Sequence, residues 1–267
     1  MIIDINASLG HYAFRALRFN TAEKLMSLMD RHGLTRAVVT SSPALFYRDA
    51  HRGNEELFEE TKNYRERLVN VATVNPTYAG WESDLAEAIE RWHMKAVTLV
   101  PEYHGYRLTD DRARTALARI SDYGVPLMLR QRIEDRRQRH SWDRAEDLTI
   151  TSVLEVAKAY PKLRFILANW AGLNGDKLAG AGLKGRCLID FARMGVVYST
   201  MSGWRAQQEI PKLIAALGAE SVAFGSHVPF AYIAPSLVKL ANVQTTSAAA
   251  YEQIAWRNAA TFLRLDA

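Results

Sequence analysis

The sequence contains a single cysteine, and no apolar run approaches the roughly 20 residues that a membrane-spanning helix needs. The lone Cys187 lies in an apolar stretch of helical appearance, so a disulfide within the chain is excluded and a buried, inert thiol is expected. Met1 leads directly into an apolar strand, without a basic leader or a small-residue cleavage site. We therefore expect no membrane partner, no secretory signal and a cytoplasmic protein.

Motifs for nucleic acids and nucleotides are also missing. The net charge is +5, but the basic residues are spread along the chain apart from one arginine-rich segment, residues 130–140. No glycine-rich phosphate loop follows any predicted strand, which argues against an open, doubly wound sheet. We expect a small-molecule substrate and no nucleic-acid partner.

Short β-branched runs alternate with longer stretches of helical period, which is typical of βα units. The predicted strands are residues 2–5, 37–40, 69–74, 96–100, 126–129, 164–168, 196–199 and 222–224. The predicted helices include residues 21–32, 81–92, 110–123, 151–160, 207–217 and 248–263. A chain of 267 residues suits one barrel of about 250 residues. The prediction is an α/β protein with a single (β/α)8 TIM-barrel domain over residues 1–267.

Three long segments come directly after predicted strands: residues 40–51, 101–109 and 131–147. In a barrel of this kind the loops that follow the strands meet at the C-terminal face, where active sites are found. We therefore expect the functional residues of these segments to converge on one mouth.

Several motifs resemble the amidohydrolase superfamily, in particular its amidohydrolase-related branch. The opening Asp4-Ile5-Asn6-Ala7-Ser8 is similar to that family's first strand, where an Asp precedes His-x-His. Arg130 and Asn169 stand where the fifth and sixth strands of the family end in histidines. The segment Gly225-Ser226-His227-Val228-Pro229 is similar to the eighth-strand motif Gly-Ser-Asp-x-Pro. The resemblance implies an amidohydrolase-like TIM barrel.

The residues that stand at the family's metal-ligand positions imply that its usual metal site is missing from this chain. The five expected ligand positions hold only one side chain that can ligate a metal well, and they are Asn6, Ser8, Arg130, Asn169 and His227. A guanidinium at Arg130 would repel a divalent cation at close range. The superfamily includes metal-independent lactonases and lactone isomerases, so absence of the metal is compatible with catalysis. We expect no metal and no cofactor.

Four residues are candidates for catalysis. His227 is the leading general acid or base, because the unperturbed pKa of histidine is about 6.5, and its alternative is a hydrogen bond to a neighbouring loop. Arg130 is predicted to anchor an anion or stabilise an oxyanion. His104 is a candidate hydrogen-bond donor, or else a packed loop histidine. Asp135 is a candidate base, or else part of a solvated charge run.

The predicted substrate-binding residues are those that accompany these groups on the same loops or strand ends. They are Asn6, Arg15, Tyr103, Tyr106, Gln131, His140, Asn169 and Ser226. A surface ion pair is the alternative for Arg15. A relocated metal site built from Glu102, His104, His140 and His227 also stays open.

These patterns favour a metal-independent enzyme that acts on a small polar substrate bearing a carboxylate, a lactone or sugar-like hydroxyls. Hydrolysis is favoured by the resemblance, with isomerisation and decarboxylation as alternatives. A barrel that only binds a small molecule or a protein is the alternative from another class. Barrels of this family often pair, so a homodimer is a further prediction.

Overall fold

Eight parallel strands follow one another in chain order, each paired with its neighbours. A computed structural model describes residues 1–194 and 203–265 of the chain. The strands are β1 Ile3–Leu9, β2 Arg36–Ser41, β3 Leu68–Val74, β4 Ala96–Leu99, β5 Leu127–Arg130, β6 Phe165–Ala168, β7 Cys187–Asp190 and β8 Val222–Ala223. The β8 segment returns to β1, where Ala7 and Val228 form a parallel bridge. The predicted (β/α)8 barrel is confirmed.

Helices alternate with these strands and surround them. They are α1 Ala22–His32, α2 Ala50–Thr61, α3 Trp81–Ala86, α4 Pro101–His104, α5 Asp111–Tyr123, α6 Ile150–Ala159, α7 Gly175–Gly180, α8 Gly203–Leu217, α9 Ala234–Thr246, α10 Ala248–Glu252 and α11 Asn258–Leu263. Residues Glu87–Arg91 and Gln253–Arg257 continue α3 and α10 as π-helical turns. Short 3-10 turns occupy Pro43–Leu45, Lys62–Tyr64 and Ala219–Ser221.

Local signals set the ends of α1 as the sequence predicts. The Thr21 hydroxyl accepts a hydrogen bond from the Lys24 amide, which satisfies one of the free donors in the first turn. Gly33 ends the helix with φ at 69°, a left-handed conformation that glycine adopts without a steric penalty. The predicted boundaries of this helix are therefore confirmed to within one residue.

The stretch around Cys187 corrects one prediction. Cys187–Asp190 is strand β7, paired in register with β6 from Phe165 onward, and not part of a helix. Its thiol is buried, as predicted. The strand predicted at Val196–Ser199 lies outside the described residues.

Two hydrophobic layers lie on either side of the strands. The outer layer packs the barrel against the helices, with residues such as Val39, Leu99 and Leu167. The inner layer fills the lower part of the barrel with residues such as Ile5, Met128 and Leu188. Ala259, Ala260 and Leu263 of α11 belong to this inner layer, so the C-terminal helix closes the N-terminal end of the barrel.

A bulge in β1 separates the apolar part of the barrel interior, toward the N-terminal ends of the strands, from a polar part toward their C-terminal ends. The register between β1 and β2 shifts between Asp4 and Ala7. An extra residue in a strand changes which side chains share a face. Ile5 belongs to the inner apolar layer, and Asn6 contacts polar groups from the other strand ends.

Within the described part of the chain, no helix is long and apolar enough to cross a membrane.

Candidate active site

A layer of hydrogen-bonded polar side chains lies just above the apolar core, at the C-terminal ends of the strands. Asn6 is its centre. Its Oδ1 accepts hydrogen bonds from Arg130 Nε (3.2 Å) and Nη2 (3.1 Å), and its Nδ2 donates to Asp190 Oδ2 (2.6 Å). Thr40 Oγ1 accepts from Arg130 Nη2 (3.1 Å) and lies 2.9 Å from Ser8 Oγ. Side chains of β1, β2, β5 and β7 thus form one network.

Arg130 is a fixed cation inside this layer. It is 2% exposed, and burial lowers its pKa to about 10, against the opposing effects of Asp190 and Glu102. A group with that pKa stays protonated at neutral pH. Nε and Nη2 are engaged, whereas Nη1 makes no hydrogen bond within the described residues. One terminal nitrogen therefore remains available for an anionic ligand.

Asp190 is a site residue that the sequence analysis missed. It ends β7 and accepts hydrogen bonds from the side chain of Asn6 and from the backbone amides of Asn169 and Ala192. Burial raises its pKa to about 6 despite these bonds. Recognising Cys187–Asp190 as a strand would have found it, since an acidic residue directly after a buried strand faces the mouth of a barrel.

His227 lies at the mouth, but both of its ring nitrogens are engaged. Nε2 lies 2.6 Å from Ile133 O, so it is the protonated nitrogen and donates to that carbonyl. Nδ1 then accepts from Asn6 Nδ2 (3.4 Å), and the ring stacks on Phe230 at 5.2 Å. Burial lowers the pKa of His227 to about 3, so the ring is neutral. This arrangement matches the predicted alternative, a hydrogen bond to a neighbouring loop, and leaves no free nitrogen for proton transfer.

Asn169 and Ser226 lie beside this layer, as predicted, and connect strand ends. Asn169 Nδ2 donates to Arg132 O (2.5 Å), while its Oδ1 is buried and has no partner within the described residues. Its φ is 59°, a left-handed conformation that asparagine tolerates better than most residues. Ser226 donates from both its amide and its hydroxyl to the carboxylate of Asp4, which ties β8 to β1.

The short helix α4, directly after β4, carries Glu102 and His104, and Tyr106 follows it by two residues. Burial raises the pKa of Glu102 to about 8, against smaller opposing effects of its own amide and of Arg130. Glu102 Oε2 and Tyr106 Oη are buried and have no hydrogen-bond partner within the described residues. The His104 ring, neutral because burial lowers its pKa to about 4, donates from Nε2 to Ala44 O (3.0 Å).

An aromatic cap covers the polar layer. Its buried members come from the loops that follow β1, β2, β4, β5 and β8, and they are Tyr12, Leu17, Leu45, Val100, Ile133 and Phe230. Phe14, Phe46 and Tyr103 pack against them.

Buried carboxylates of the segment 131–147 accept hydrogen bonds from residues of this cap and fix its position. Arg15 Nε donates to Glu134 Oε1 (2.6 Å), and Tyr103 Oη donates to Asp143 Oδ2 (3.0 Å). His140 stacks on Phe14, with ring centroids 5.4 Å apart. Arg15, Tyr103 and His140 thus contribute to the cap.

Asp135 and Gln131 lie apart from the hydrogen-bonded layer. Asp135 pairs with Arg137 and Arg193, and hydrogen bonds from Arg137 depress the pKa of its carboxyl. A strongly acidic carboxylate held by two arginines is a poor base. Gln131 Oε1 accepts from the Ala171 amide (3.3 Å), which fixes the loop after β6.

The residues at the mouth do not suit a divalent metal, the ion held by the usual site of the family that the chain resembles. The guanidinium of Arg130 occupies the centre of the layer and binds Asn6, while the Asp4 and Asp190 carboxylates already accept hydrogen bonds. Within residues 1–194 and 203–265, no group of three or more His, Cys, Asp or Glu side chains is placed to hold a metal ion. The relocated metal site considered above is therefore not formed by Glu102, His104, His140 and His227.

Solved structures with a similar fold include two decarboxylases and a probable hydrolase. 5-Carboxyvanillate decarboxylase from Sphingomonas paucimobilis is 12% identical, with a TM-score of 0.73 and 99% of each chain covered. A probable 2-pyrone-4,6-dicarboxylic acid hydrolase from Acinetobacter baumannii, with citric acid bound, is 14% identical, with a TM-score of 0.71, 98% of this chain and 99% of that chain covered. Dihydroxybenzoic acid decarboxylase from Polaromonas, with manganese and 2-nitroresorcinol bound, is 15% identical, with a TM-score of 0.69, 99% of this chain and 97% of that chain covered.

Identities this low establish the shared barrel and nothing about the reaction. The search of curated proteins found no match. The sequence model of the amidohydrolase family, in contrast, matches residues 9–265, nearly the whole chain. By that match, the chain belongs to the amidohydrolase family.

Proposed function

We propose that this protein is a metal-independent enzyme of the amidohydrolase family that decarboxylates a small cyclic hydroxy acid. The observation that carries the proposal is Glu102, a partly buried carboxylic acid with a pKa of about 8 and a buried oxygen that lacks a hydrogen-bond partner in the described part of the chain. Such a group is protonated at neutral pH. It is a proton donor placed at the mouth of the barrel, where this fold carries its chemistry.

Arg130 supplies the positive charge in this proposal. Asn6 and Thr40 fix two of its nitrogens, so the cation needs no rearrangement when charge develops on the substrate. Nη1 pairs with a ring oxygen of the substrate. The carboxylate that leaves points away from Arg130, because an ion pair would stabilise the ground state and slow its loss.

The reaction then needs two bond changes. The ring oxygen at Arg130, ionised, supplies electrons to the ring while the proton of Glu102 moves to the ring carbon that bears the carboxylate. The bond between that carbon and the carboxylate then breaks, carbon dioxide leaves, and the electron pair of that bond returns to the ring and its oxygen, whose negative charge Arg130 stabilises. Glu102 is reprotonated from water after the cap opens. The apolar rings of Tyr12, Phe230 and Tyr103 favour loss of carbon dioxide, since a carboxylate is poorly stabilised in an environment without water.

Hydrolysis, the reaction favoured by the sequence, stays open as a prediction but is supported less well. It requires a base that activates water. The nitrogens of His227 are both engaged, Asp190 already accepts three or more hydrogen bonds, and Asp135 is paired with arginines. Glu102 can donate a proton, whereas none of these residues is a free base.

Turnover of a small panel tests the proposal. The panel contains 2,6-dihydroxybenzoate, 5-carboxyvanillate and 2-pyrone-4,6-dicarboxylate, assayed with a chelator present by carbon dioxide release and product mass. We expect decarboxylation of a ring acid, and Glu102→Gln should lower kcat by about 100-fold or more with little change in KM. The exposed Glu82→Gln is the matched control. Full activity of Glu102→Gln, or activity that requires added manganese, would contradict the proposal.

A non-catalytic barrel is the second candidate, and the closed cap is the observation that favours it. Asn6, Asp190 and His227 satisfy one another, and the layer is covered in this structure. This candidate predicts that hydroxybenzoates bind without turnover. Binding measured by calorimetry alongside the panel assay separates the two.

A further inference from the structure

Four arginines and two aspartates form a cluster on the rim of the barrel, outside the polar layer. Asp147 pairs with Arg132 and Arg136, and Asp135 pairs with Arg137 and Arg193. The formal charge of the cluster is +2, from four cations and two anions. The segment after β5 and the segment after β7 supply all six residues.

Arg132 and Arg193 differ from the two other arginines in their burial. Their side chains are 19% and 18% exposed, whereas those of Arg136 and Arg137 are 61% and 57% exposed. Solvated surface arginines need no special explanation. Two neighbouring arginines that are largely buried do need an explanation, because water screens the repulsion between their charges poorly at such a position.

Two further observations indicate that the aspartates do not fully satisfy this pair of arginines. Arg132 Nε is buried and makes no hydrogen bond within the described residues. Burial lowers the pKa of Arg193, and the positive charge of Arg132 lowers it further. Buried donors are nearly always satisfied by protein, water or ligand. An anion between the two side chains would satisfy the free donor and remove the repulsion.

We propose that Arg132 and Arg193 form a binding site for a dianionic oxyanion group. The surplus of two positive charges in the cluster matches such a group, and the planar guanidinium fork suits oxyanions. A phosphate monoester and a dicarboxylate share this chemistry.

The position of the pair relates the site to the substrate. Arg132 follows Arg130 by two residues and its carbonyl accepts from Asn169 Nδ2, while Arg193 follows Asp190 by three. In this proposal the rim site takes a second anionic group of the molecule that reaches Arg130. This assignment of substrate class rests on the function proposed above, whereas the anion site itself does not.

Calorimetric titration tests the site without any turnover. The probes are inorganic phosphate and malonate, with chloride at equal ionic strength as the reference. We expect saturable binding of phosphate or malonate in the millimolar range or tighter, and whichever binds more tightly identifies the source of the group. Arg193→Gln and Arg193→Lys should each weaken binding by about tenfold, since Lys keeps the charge and loses the fork.

Arg136→Gln is the matched control, because it removes an exposed arginine from the same Asp147. It should change the affinity by less than about threefold. Equal weakening by Arg136→Gln and Arg193→Gln, or no saturable binding of either probe, would overturn the anion site. Binding that is lost in Arg193→Gln supports the site even if no substrate of the panel is turned over.

Discussion

Asn6 shows how one residue organises the mouth of the barrel. An amide both accepts and donates, so it binds the Arg130 cation through Oδ1 and the Asp190 carboxylate and His227 through Nδ2. A carboxylate at this position would have no hydrogen to give Asp190. The choice of asparagine thus allows opposite charges and a neutral imidazole to share a buried layer.

Replacement of Asn6 should therefore destabilise the protein. Asn6→Ala leaves Arg130 with fewer acceptors and removes donors from Asp190 and His227, and we expect a loss of about 2 to 4 kcal/mol in the free energy of unfolding. Asn20→Ala is the control, since Asn20 makes only a part-buried bond to Gly10 O. Urea denaturation measures both. A loss at position 6 no larger than that at position 20 would show that the layer is not mutually supporting.

The raised pKa of Glu102 should make the free energy of unfolding of the protein decrease as the pH rises. Its folded pKa is about 8 against an ordinary value of 4.5, so between these values the folded state holds a proton that the unfolded state has released. Stability from this group is greatest below pH 4.5 and falls as the pH rises toward 8.

The neutral variant Glu102→Gln removes this effect. The stability of the variant relative to the wild type should grow by up to about 1.4 kcal/mol per pH unit between pH 5.5 and 7.5. Comparison with the wild type cancels the contributions of the other titrating groups. Denaturation series at four pH values measure it, and parallel curves for the two proteins would mean that Glu102 titrates normally.

The sequence predicts where many of these residues lie, but not the hydrogen bonds and burial that determine their protonation. Arg130, Asn6, Asn169 and His227 were placed at one mouth because strand ends converge in a barrel, and they lie together. The engagement of both His227 nitrogens depends on Ile133, 94 positions away, and no local pattern contains that contact.

Among the elements, β7 explains the largest error in the predicted fold. Three apolar residues followed by Asp190 fit a strand or part of a helix equally well, since they are too few to show a period. Pairing with β6, which aligns Phe165 with Cys187 and Leu167 with Ile189, decides the outcome. Apart from 196–199, which lies outside the described residues, the other predicted strands overlap those observed, although β1 extends to Leu9, four residues beyond its predicted end.

The end of β8 approaches β7 so closely that it requires glycine. A Cβ at Gly225 would lie 2.5 Å from the Cβ of Asp190, and real Cβ atoms do not approach that closely. Gly225→Ala should displace Asp190 and cost about 1 to 3 kcal/mol of stability. Gly180→Ala is the control, because nothing lies within 4 Å of its added Cβ. Thermal denaturation compares them, and equal melting temperatures would refute the close approach.

In the whole molecule, the α/β alternation and the chain length were sufficient to predict the barrel, because the parallel sheet must be covered by helices on its outer face. The cap was not predictable in the same way. It joins loops after five different strands through Tyr12, Phe230 and their neighbours, and it depends on buried carboxylates from the segment 131–147. Such contacts exist only after the barrel has brought the loops together.

The cap should open more readily when its ion pair is removed. Arg15→Gln leaves Glu134 buried without its cation, so we expect trypsin to cleave the arginine-rich segment 131–147 several times faster than in the wild type. Arg18→Gln, an exposed residue of the same loop, is the control. Mass spectrometry of the fragments gives the rate at each site. Unchanged cleavage in Arg15→Gln would mean that the ion pair does not hold the cap.

Metal content decides most directly whether Arg130 has taken the place of a divalent ion. Purified protein is incubated with excess manganese and zinc, desalted, and measured by elemental analysis, with Asp190→Asn and the exposed Asp176→Asn treated in parallel. A mouth filled by a guanidinium should retain less than about a tenth of an equivalent in all three proteins. Retention of about one equivalent by the wild type and by Asp176→Asn, but not by Asp190→Asn, would contradict this.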